Sequence, residues 1–314
     1  VSAPNLLPGL VVKTHSGFYT VQTEQGNFIC QLRGKLKEQS RKTELCVIGD
    51  NVSILRNEDG SGTIYQVEPR ARVLSRVEPS AYAGTSTERE QIIMANPDQA
   101  IFVFAAANPS PHVRLLDRFL VAAEKAHIPS IIICVNKVDL IGEEAAQAAF
   151  QAYVRIGYQI LLTSTKLDLN IDLLRERLAG KVSVFTGPSG VGKTSLLNAL
   201  QPGLGRAVRS VSSATTKGRH TTVNAELIPV VGGGYVADTP GIRSLAVWDV
   251  EPTELDGYFI EIHPYVAECR FSNCTHLDDP GCAVRAAVER GDISAERYES
   301  YLRLRAELEA QYVY

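Results

Sequence analysis

Residues 182–200 read Val-Ser-Val-Phe-Thr-Gly-Pro-Ser-Gly-Val-Gly-Lys-Thr-Ser-Leu-Leu-Asn-Ala-Leu, and this stretch decides the fold. An apolar run at 182–185 has the length of a buried strand, and residues 194–200 carry the apolar spacing of a helix. Between them Gly187-Pro188-Ser189-Gly190-Val191-Gly192-Lys193-Thr194 matches G-x-x-x-x-G-K-[ST] in full. Such a loop needs small residues, because consecutive backbone N–H groups must converge on phosphate oxygens that side chains would keep away. The helix behind it aims its positive dipole end at the same anion. Lys193 is expected to reach the β- and γ-phosphates, the Thr194 hydroxyl to ligate Mg²⁺, and Ser195 to close the nucleotide-binding run.

Working outward, residues 101–106 and 131–135 read as further buried strands, separated by a helical pattern at 113–126. Strands alternating with helices imply a parallel sheet covered on both faces. Asn136-Lys137-Val138-Asp139 follows the second strand. A carboxylate placed like Asp139 accepts from both N1–H and the N2 amino group of guanine, a donor pair that adenine lacks. Asn136 is expected to brace the loop and the Lys137 stem to cover the base. Ser164-Thr165-Lys166, after a strand at 159–162, suits a loop at the guanine edge. Asp238-Thr239-Pro240-Gly241 follows a strand at 235–237 and places Asp238 near Mg²⁺ and the Gly241 amide near the γ-phosphate. Gly218-Arg219-His220-Thr221-Thr222 lies between, and either Thr221 or Thr222 could complete the Mg²⁺ shell.

These elements resemble the guanine-nucleotide motifs of a Ras-like GTPase in altered order, because Asn136–Asp139 and Ser164 precede the phosphate loop. Opening such a domain between its Asp238 and Asn136 strands and joining the old termini gives this order with every motif in place. Folded domains tolerate that permutation because their termini lie close together. Ile242 occupies the position where Ras-type enzymes carry a water-orienting Gln, and a hydrocarbon cannot align water. His220 is the candidate to replace it.

Ahead of this domain, short β-rich runs at 10–13, 18–23, 27–31, 51–55 and 63–67 are separated by turn-forming stretches. That pattern suits a small closed barrel, with the OB-fold ahead of an SH3-like alternative. Arg33, Lys35, Lys37, Arg41 and Lys42 put five positive charges into ten residues, a run suited to RNA phosphates. Overall the chain has 314 residues, 32 Lys and Arg against 35 Asp and Glu, and 45% hydrophobic residues. The balance excludes a polycationic nucleic-acid binder, so such contacts must be local. No apolar run is long enough to span a bilayer, no basic segment precedes the first apolar residues, and the expected location is cytoplasmic.

Beyond residue 250 the chain turns helical and acidic, with thirteen Asp and Glu against six Arg and Lys. Ser294 is placed to start a helix running past Tyr298, Leu302 and Leu308. Cys30, Cys46 and Cys134 are scattered through apolar stretches and read as core residues. Cys269, Cys274, His276 and Cys282 cluster, and three thiolates with one imidazole make a closed tetrahedral set for one structural Zn²⁺. His263 is a spare ligand with poorer spacing.

Taken together, the barrel, the permuted GTPase motifs and the Cys-x4-Cys-x-His-x5-Cys knuckle resemble the YjeQ/RsgA/EngC family of circularly permuted GTPases. The resemblance implies a three-part chain: a 1–71 OB-fold RNA-binding domain, a 72–249 circularly permuted α/β P-loop GTPase domain and a 250–314 mostly helical zinc-binding domain. It also implies GTP and GDP as ligands, slow hydrolysis stimulated by the small ribosomal subunit, contact with its rRNA, and action as a monomer during late subunit assembly. The alternatives are a nucleotide-sensing RNA-binding scaffold and a GTPase serving another cargo, such as a metallochaperone. The segment 242–248 joins the γ-phosphate motif to the last domain, so nucleotide state is expected to reposition that domain.

Overall fold

The computed structural model of the protein describes residues 5–34, 36, 45–77, 90–205, 207, 225–238 and 250–312. The first five strands are β1 (Leu7–His15), β2 (Phe18–Thr23), β3 (Gly26–Leu32), β4 (Asn51–Arg56) and β5 (Gly62–Val67). They pair in the order β1–β2–β3–β5–β4, and β4 returns to β1 with Leu7 opposite Ile54 and Leu10 opposite Asn51. The β3–β5 pair is parallel and the others are antiparallel. That connectivity is not a meander; it closes an OB-like barrel. Alternation along β3 sends Phe28, Cys30 and Leu32 inward, where they meet Val11, Val21, Ile54 and Ile64.

A two-stranded hairpin, β6 (Val73–Val77) with β7 (Glu90–Ala95), follows the barrel. The remaining strands are β8 (Gln99–Ala105), β9 (Ile131–Asn136), β10 (Gln159–Leu162), β11 (Val182–Thr186), β12 (Ala225–Val230) and β13 (Gly234–Asp238). The helices among them are α1 (Val113–Lys125), α2 (Glu143–Ala149), α3 (Gln151–Arg155), α4 (Ile171–Leu178) and α5 (Lys193–Leu200). The sheet order is β10–β9–β8–β11–β13–β12, parallel except for β12. Every residue of β8 is buried: Phe102 and Phe104 pack on one face with Phe119, Ile101 and Val103 on the other with Leu174 and Leu197. A strand covered on both faces reads as a continuous apolar run, which is why this one was legible. The strand β11 sits between β8 and β13, so its loop opens at the middle of the sheet's edge.

Two junctions fix the flanking domains. β12 also pairs with β1, Lys13 opposite Glu226 and Thr14 opposite Ala225, so barrel and core form one sheet of eleven strands. The barrel segment before β4 adds one main-chain bond, from Ala95 N–H to Ile48 O, and one side-chain bond, from Asn96 Nδ2 to Gly49 O, while Gly49 N–H donates to Val11 O within the barrel. Asp50, fully buried, accepts both arms of Arg70 at 2.7 and 2.8 Å.

At the other end lie α6 (His263–Val266), α7 (Ala283–Arg290) and α8 (Ala295–Tyr312). Ser294 Oγ accepts from Arg297 N–H at 3.2 Å and so caps α8. Phe259, Ile293, Tyr301 and Leu308 form the core of this unit and bury Val121 of α1 with them. Beside that core, Arg297 of α8 donates through Nε to Glu261 at 2.6 Å and through a terminal nitrogen to Asp117 of α1. Tyr153 OH donates to the same Asp117 at 2.8 Å, and Ser300 Oγ donates to its other oxygen. Burial alone would lower the Arg297 pKa, yet Asp117 and Glu261 hold it above its ordinary value.

Cys30, Cys46 and Cys134 are all buried, and burial pushes the Cys30 thiol up to about 11 and Cys134 up to about 12. They are core residues without thiolate character. Among the described residues, no helix is long and apolar enough to cross a membrane.

Candidate functional site

The phosphate loop leaves β11 at Thr186 and re-enters helix at Lys193. Two of its glycines are required by space. A Cβ on Gly187 would stand 2.0 Å from Val103 O, and one on Gly192 would stand 2.4 Å from Asn136 Nδ2. Gly192 also has φ +96°, a conformation that L side chains rarely adopt. Lys193 Nζ donates back to the carbonyls of Gly187 at 2.6 Å and Pro188 at 2.5 Å, which holds its charge over the loop. Thr194 is half-buried in the first turn of α5, and Ser189, Gly190 and Ser195 are exposed.

The loop after β9 meets the phosphate loop directly. Asn136, almost fully buried, donates through Nδ2 to Val191 O at 2.9 Å. Lys137, in the left-handed region at φ 63°, donates through Nζ to Gly190 O at 2.7 Å and to Asn108 O. Asp139 lies in the 3-10 turn Val138–Leu140 and is only partly buried. Ser164 Oγ, itself fully buried, donates to Asp139 Oδ1 at 2.6 Å and accepts from Leu167 N–H at 3.2 Å. That bond fixes one carboxylate oxygen of Asp139.

Thr163 and Asn108 belong to this framework, and the sequence reading passed over both. Thr163 Oγ1 lies 3.3 Å from Asn136 Oδ1 and 3.4 Å from Val135 O, so it orients the asparagine. No motif marks either position; adjacency to Ser164 was the only signal for Thr163, and the Asn108 contribution is a carbonyl, which any residue supplies.

Asp238 is the last residue of β13, at the same sheet edge as the loops of β11 and β9. His220, Thr221, Thr222 and Gly241 lie outside the described residues, as do Lys35, Lys37, Arg41, Lys42 and the segment 242–248. Arg33 is described: it is exposed, with its guanidinium 4.2 Å over the Tyr65 ring. It borders an outward barrel face on which Phe18 is 47% and Ile29 63% exposed.

The second centre is in the helical unit. One donor atom from each of Cys269, Cys274, His276 and Cys282 lies within 4.8 Å of the others. His276 Nδ1 is 3.6 Å from Cys269 Sγ and 3.5 Å from Cys282 Sγ. A tetrahedral ion with zinc-like bond lengths requires roughly 3.6 Å between sulfur and nitrogen. The donors therefore fit such an ion without rearrangement. His276 Nε2 stands 3.0 Å from Asp256 Oδ2, the outer partner that fixes an imidazole for metal binding through its other nitrogen. His263 is exposed and outside the cluster.

Comparison with known proteins gives the same picture along the whole chain. The family model for the RsgA GTPase matches residues 67–248, and that for the RsgA N-terminal domain matches residues 8–64. A small ribosomal subunit biogenesis GTPase RsgA from Gemmatimonas aurantiaca is 44% identical, over 96% of this chain and 97% of its own length. One from Bacteroides fragilis is 38% identical over 94% and 95%. The crystal structure of YjeQ from Thermotoga maritima superposes with a TM-score of 0.78 at 37% identity, covering 96% of this chain and 98% of its own. The structure of YloQ, described as a circularly permuted GTPase, gives 0.75 at 33% identity, covering 98% and 96%.

Proposed function

The chain belongs to the RsgA family of circularly permuted GTPases, and from that premise we propose that it hydrolyses GTP while bound to the small ribosomal subunit during late assembly. One observation carries the reading: Asn136 and Lys137 are bonded into the phosphate loop while Ser164 holds Asp139, so phosphate and base contacts form one rigid unit. In this reading residues 187–195 wrap the phosphates, Lys193 neutralises the β- and γ-oxygens, and Asp139 selects guanine. Lys137 covers the base. Thr194, Asp238 and one of Thr221 or Thr222 hold Mg²⁺, which when bound offsets charge on the β- and γ-phosphates. The Gly241 amide senses the γ-phosphate, and His220 orients the attacking water that Ile242 cannot. The close approach of Val103 O to Gly187 and of Asn136 Nδ2 to Gly192 supports the reading by fixing the loop backbone against the ends of β8 and β9.

The four-donor cluster holds one structural Zn²⁺, since a full ligand set leaves no position for water. Full burial of His276 speaks against a metal-delivery role, which needs exchangeable ligands. The exposed Phe18 and Ile29, with Arg33 stacked on Tyr65, support RNA contact by the barrel, to which Lys35, Lys37, Arg41 and Lys42 add charge. The reading divides the chain into 1–71, 72–249 and 250–314 and takes it to act as a cytoplasmic monomer.

The test is GTP hydrolysis with and without purified small subunits, with large subunits and ATP as controls. Strong stimulation by small subunits, selective for GTP, is the expected result. Slow turnover indifferent to ribosomes would send the search to another partner, and GTP binding without turnover under any condition would favour a nucleotide-sensing scaffold.

A further inference from the structure

The strands that adjoin the γ-phosphate motifs are the strands that the barrel touches. β12 begins at Ala225, three residues after Thr222, and β13 ends on Asp238. Lys13 of β1 stands opposite Glu226 of β12, and Lys13 Nζ lies 2.9 Å from Glu226 Oε2. One strand further on each side, Tyr235 OH of β13 donates to Gln22 Oε1 of β2. The phosphate-loop strand β11 is separated from the barrel by β13 and β12. The barrel therefore meets the nucleotide domain on the side of the threonine and aspartate motifs, away from the guanine side.

The β1–β12 ladder is only two register pairs long. As a stabiliser it is weak, because so short a ladder and one part-exposed ion pair in a high dielectric contribute little. As a mechanical link it is direct. A rigid sheet transmits displacement along its hydrogen-bonding direction, so a barrel that shifts must break the ladder or carry β12 with it.

We propose that Lys13, Glu226, Gln22 and Tyr235 are positioning residues that couple RNA contact at the barrel to the threonine and aspartate motifs through the β1–β12 ladder. The inference rests on the reading that small subunits stimulate hydrolysis. Docking of the barrel sets β12, and β12 sets the point, Ala225, that lies three residues after Thr222. None of the four residues belongs to a nucleotide motif, so the role assigned to them is positioning and not chemistry.

The experiment uses the full chain, purified small subunits, and the variants Lys13→Glu, Glu226→Lys, their double swap, and Tyr235→Phe. Turnover is measured with and without subunits, and subunit Kd separately. Each charge reversal should lower stimulated kcat about five- to tenfold, with unstimulated turnover and subunit Kd within about twofold of wild type. The double swap should restore stimulation, because the pair and not either charge is what matters. Tyr235→Phe should act in the same direction. Unchanged stimulation in both reversals, an equal loss in unstimulated turnover, or a double swap as poor as the singles would each overturn the coupling. Wild-type protein that small subunits fail to stimulate would overturn the functional reading, and the coupling with it; that result appears before any variant is made.

Discussion

The two ends of the nucleotide domain are joined to their neighbours by opposite means. At the barrel the connection is mainly backbone: two ladder pairs from β1 to β12 and the bond from Ala95 N–H to Ile48 O, with the Asn96 amide on Gly49 O and the part-exposed Lys13–Glu226 pair beside them. The buried ion pair of Asp50 with Arg70 lies within the barrel and its exit. At the helical unit the connection is side chains, with Val121 in the partner's core and Arg297 buried between Asp117 and Glu261. A backbone ladder tolerates sequence change and small rotations. A buried charge set tolerates neither, because each member separated from its partners is left uncompensated. The helical unit is thereby locked to α1. Repositioning of that unit by nucleotide state, which the connecting segment suggested, would have to break this network first.

The largest effect should come from the metal centre behind the locked junction. Structural zinc contributes apparent binding energies on the order of 10 kcal/mol to small domains. Chelation, or Cys282→Ser, should therefore open the helical unit; serine can still cap α7 as Cys282 does by accepting from Arg285 N–H, so what the variant loses is the metal ligand. Hydrogen exchange should show α7 and α8 losing protection while β1, β12 and GTP binding persist. Protection of α8 retained after proven metal loss would mean that the Phe259 and Tyr301 core suffices alone.

Next in size is Arg297→Met, which strands Asp117 and Glu261 and should cost about 3–5 kcal/mol in unfolding free energy. Lys13→Met at the other junction should cost no more than about 1 kcal/mol. Urea unfolding of both variants measures the contrast directly. Equal losses would erase the distinction between the two junctions.

Neither junction was legible in the sequence, and the reasons differ. The nucleotide motifs announce themselves because phosphate and guanine demand particular residues at fixed spacing, as at Gly187, Lys193 and Asp139. The buried strand β8 is visible as an unbroken apolar run, and the knuckle as three cysteines and a histidine. The β1–β12 ladder pairs the main chain of residues more than two hundred positions apart, Lys13 with Glu226 and Thr14 with Ala225, and main-chain groups carry no residue signature. Arg297, Asp117 and Glu261 are ordinary charged residues on helices, and only the tertiary approach of α8 to α1 makes them a set. The hairpin β6–β7 went unread because Val73–Val77 lies at the exit from the barrel, where the change of texture was taken for a domain boundary.

The smallest effect sharpens the account of charge at the locked junction. Glu124 of α1 accepts from Tyr158 OH at 3.0 Å, and burial, with Glu261 nearby, raises its pKa above the usual carboxylate range. A raised carboxylate is harder to ionise in the folded state than in the unfolded one. Its ionisation therefore detracts from stability at neutral pH and costs nothing once both states are protonated. Glu124→Gln keeps an acceptor for Tyr158 and removes the charge. The variant should be more stable than wild type at pH 7, and the gain should fade as pH falls through the folded pKa and vanish below about 4, the unfolded value. Thermal unfolding between pH 4 and 7 measures it. A gain that persists at pH 4 would point to packing, and a loss at pH 7 would mean that Arg297 draws useful attraction from Glu124 as well as from Asp117 and Glu261. Arg297 would then serve three carboxylates, and the junction would hold more surplus negative charge than Asp117 and Glu261 alone suggest.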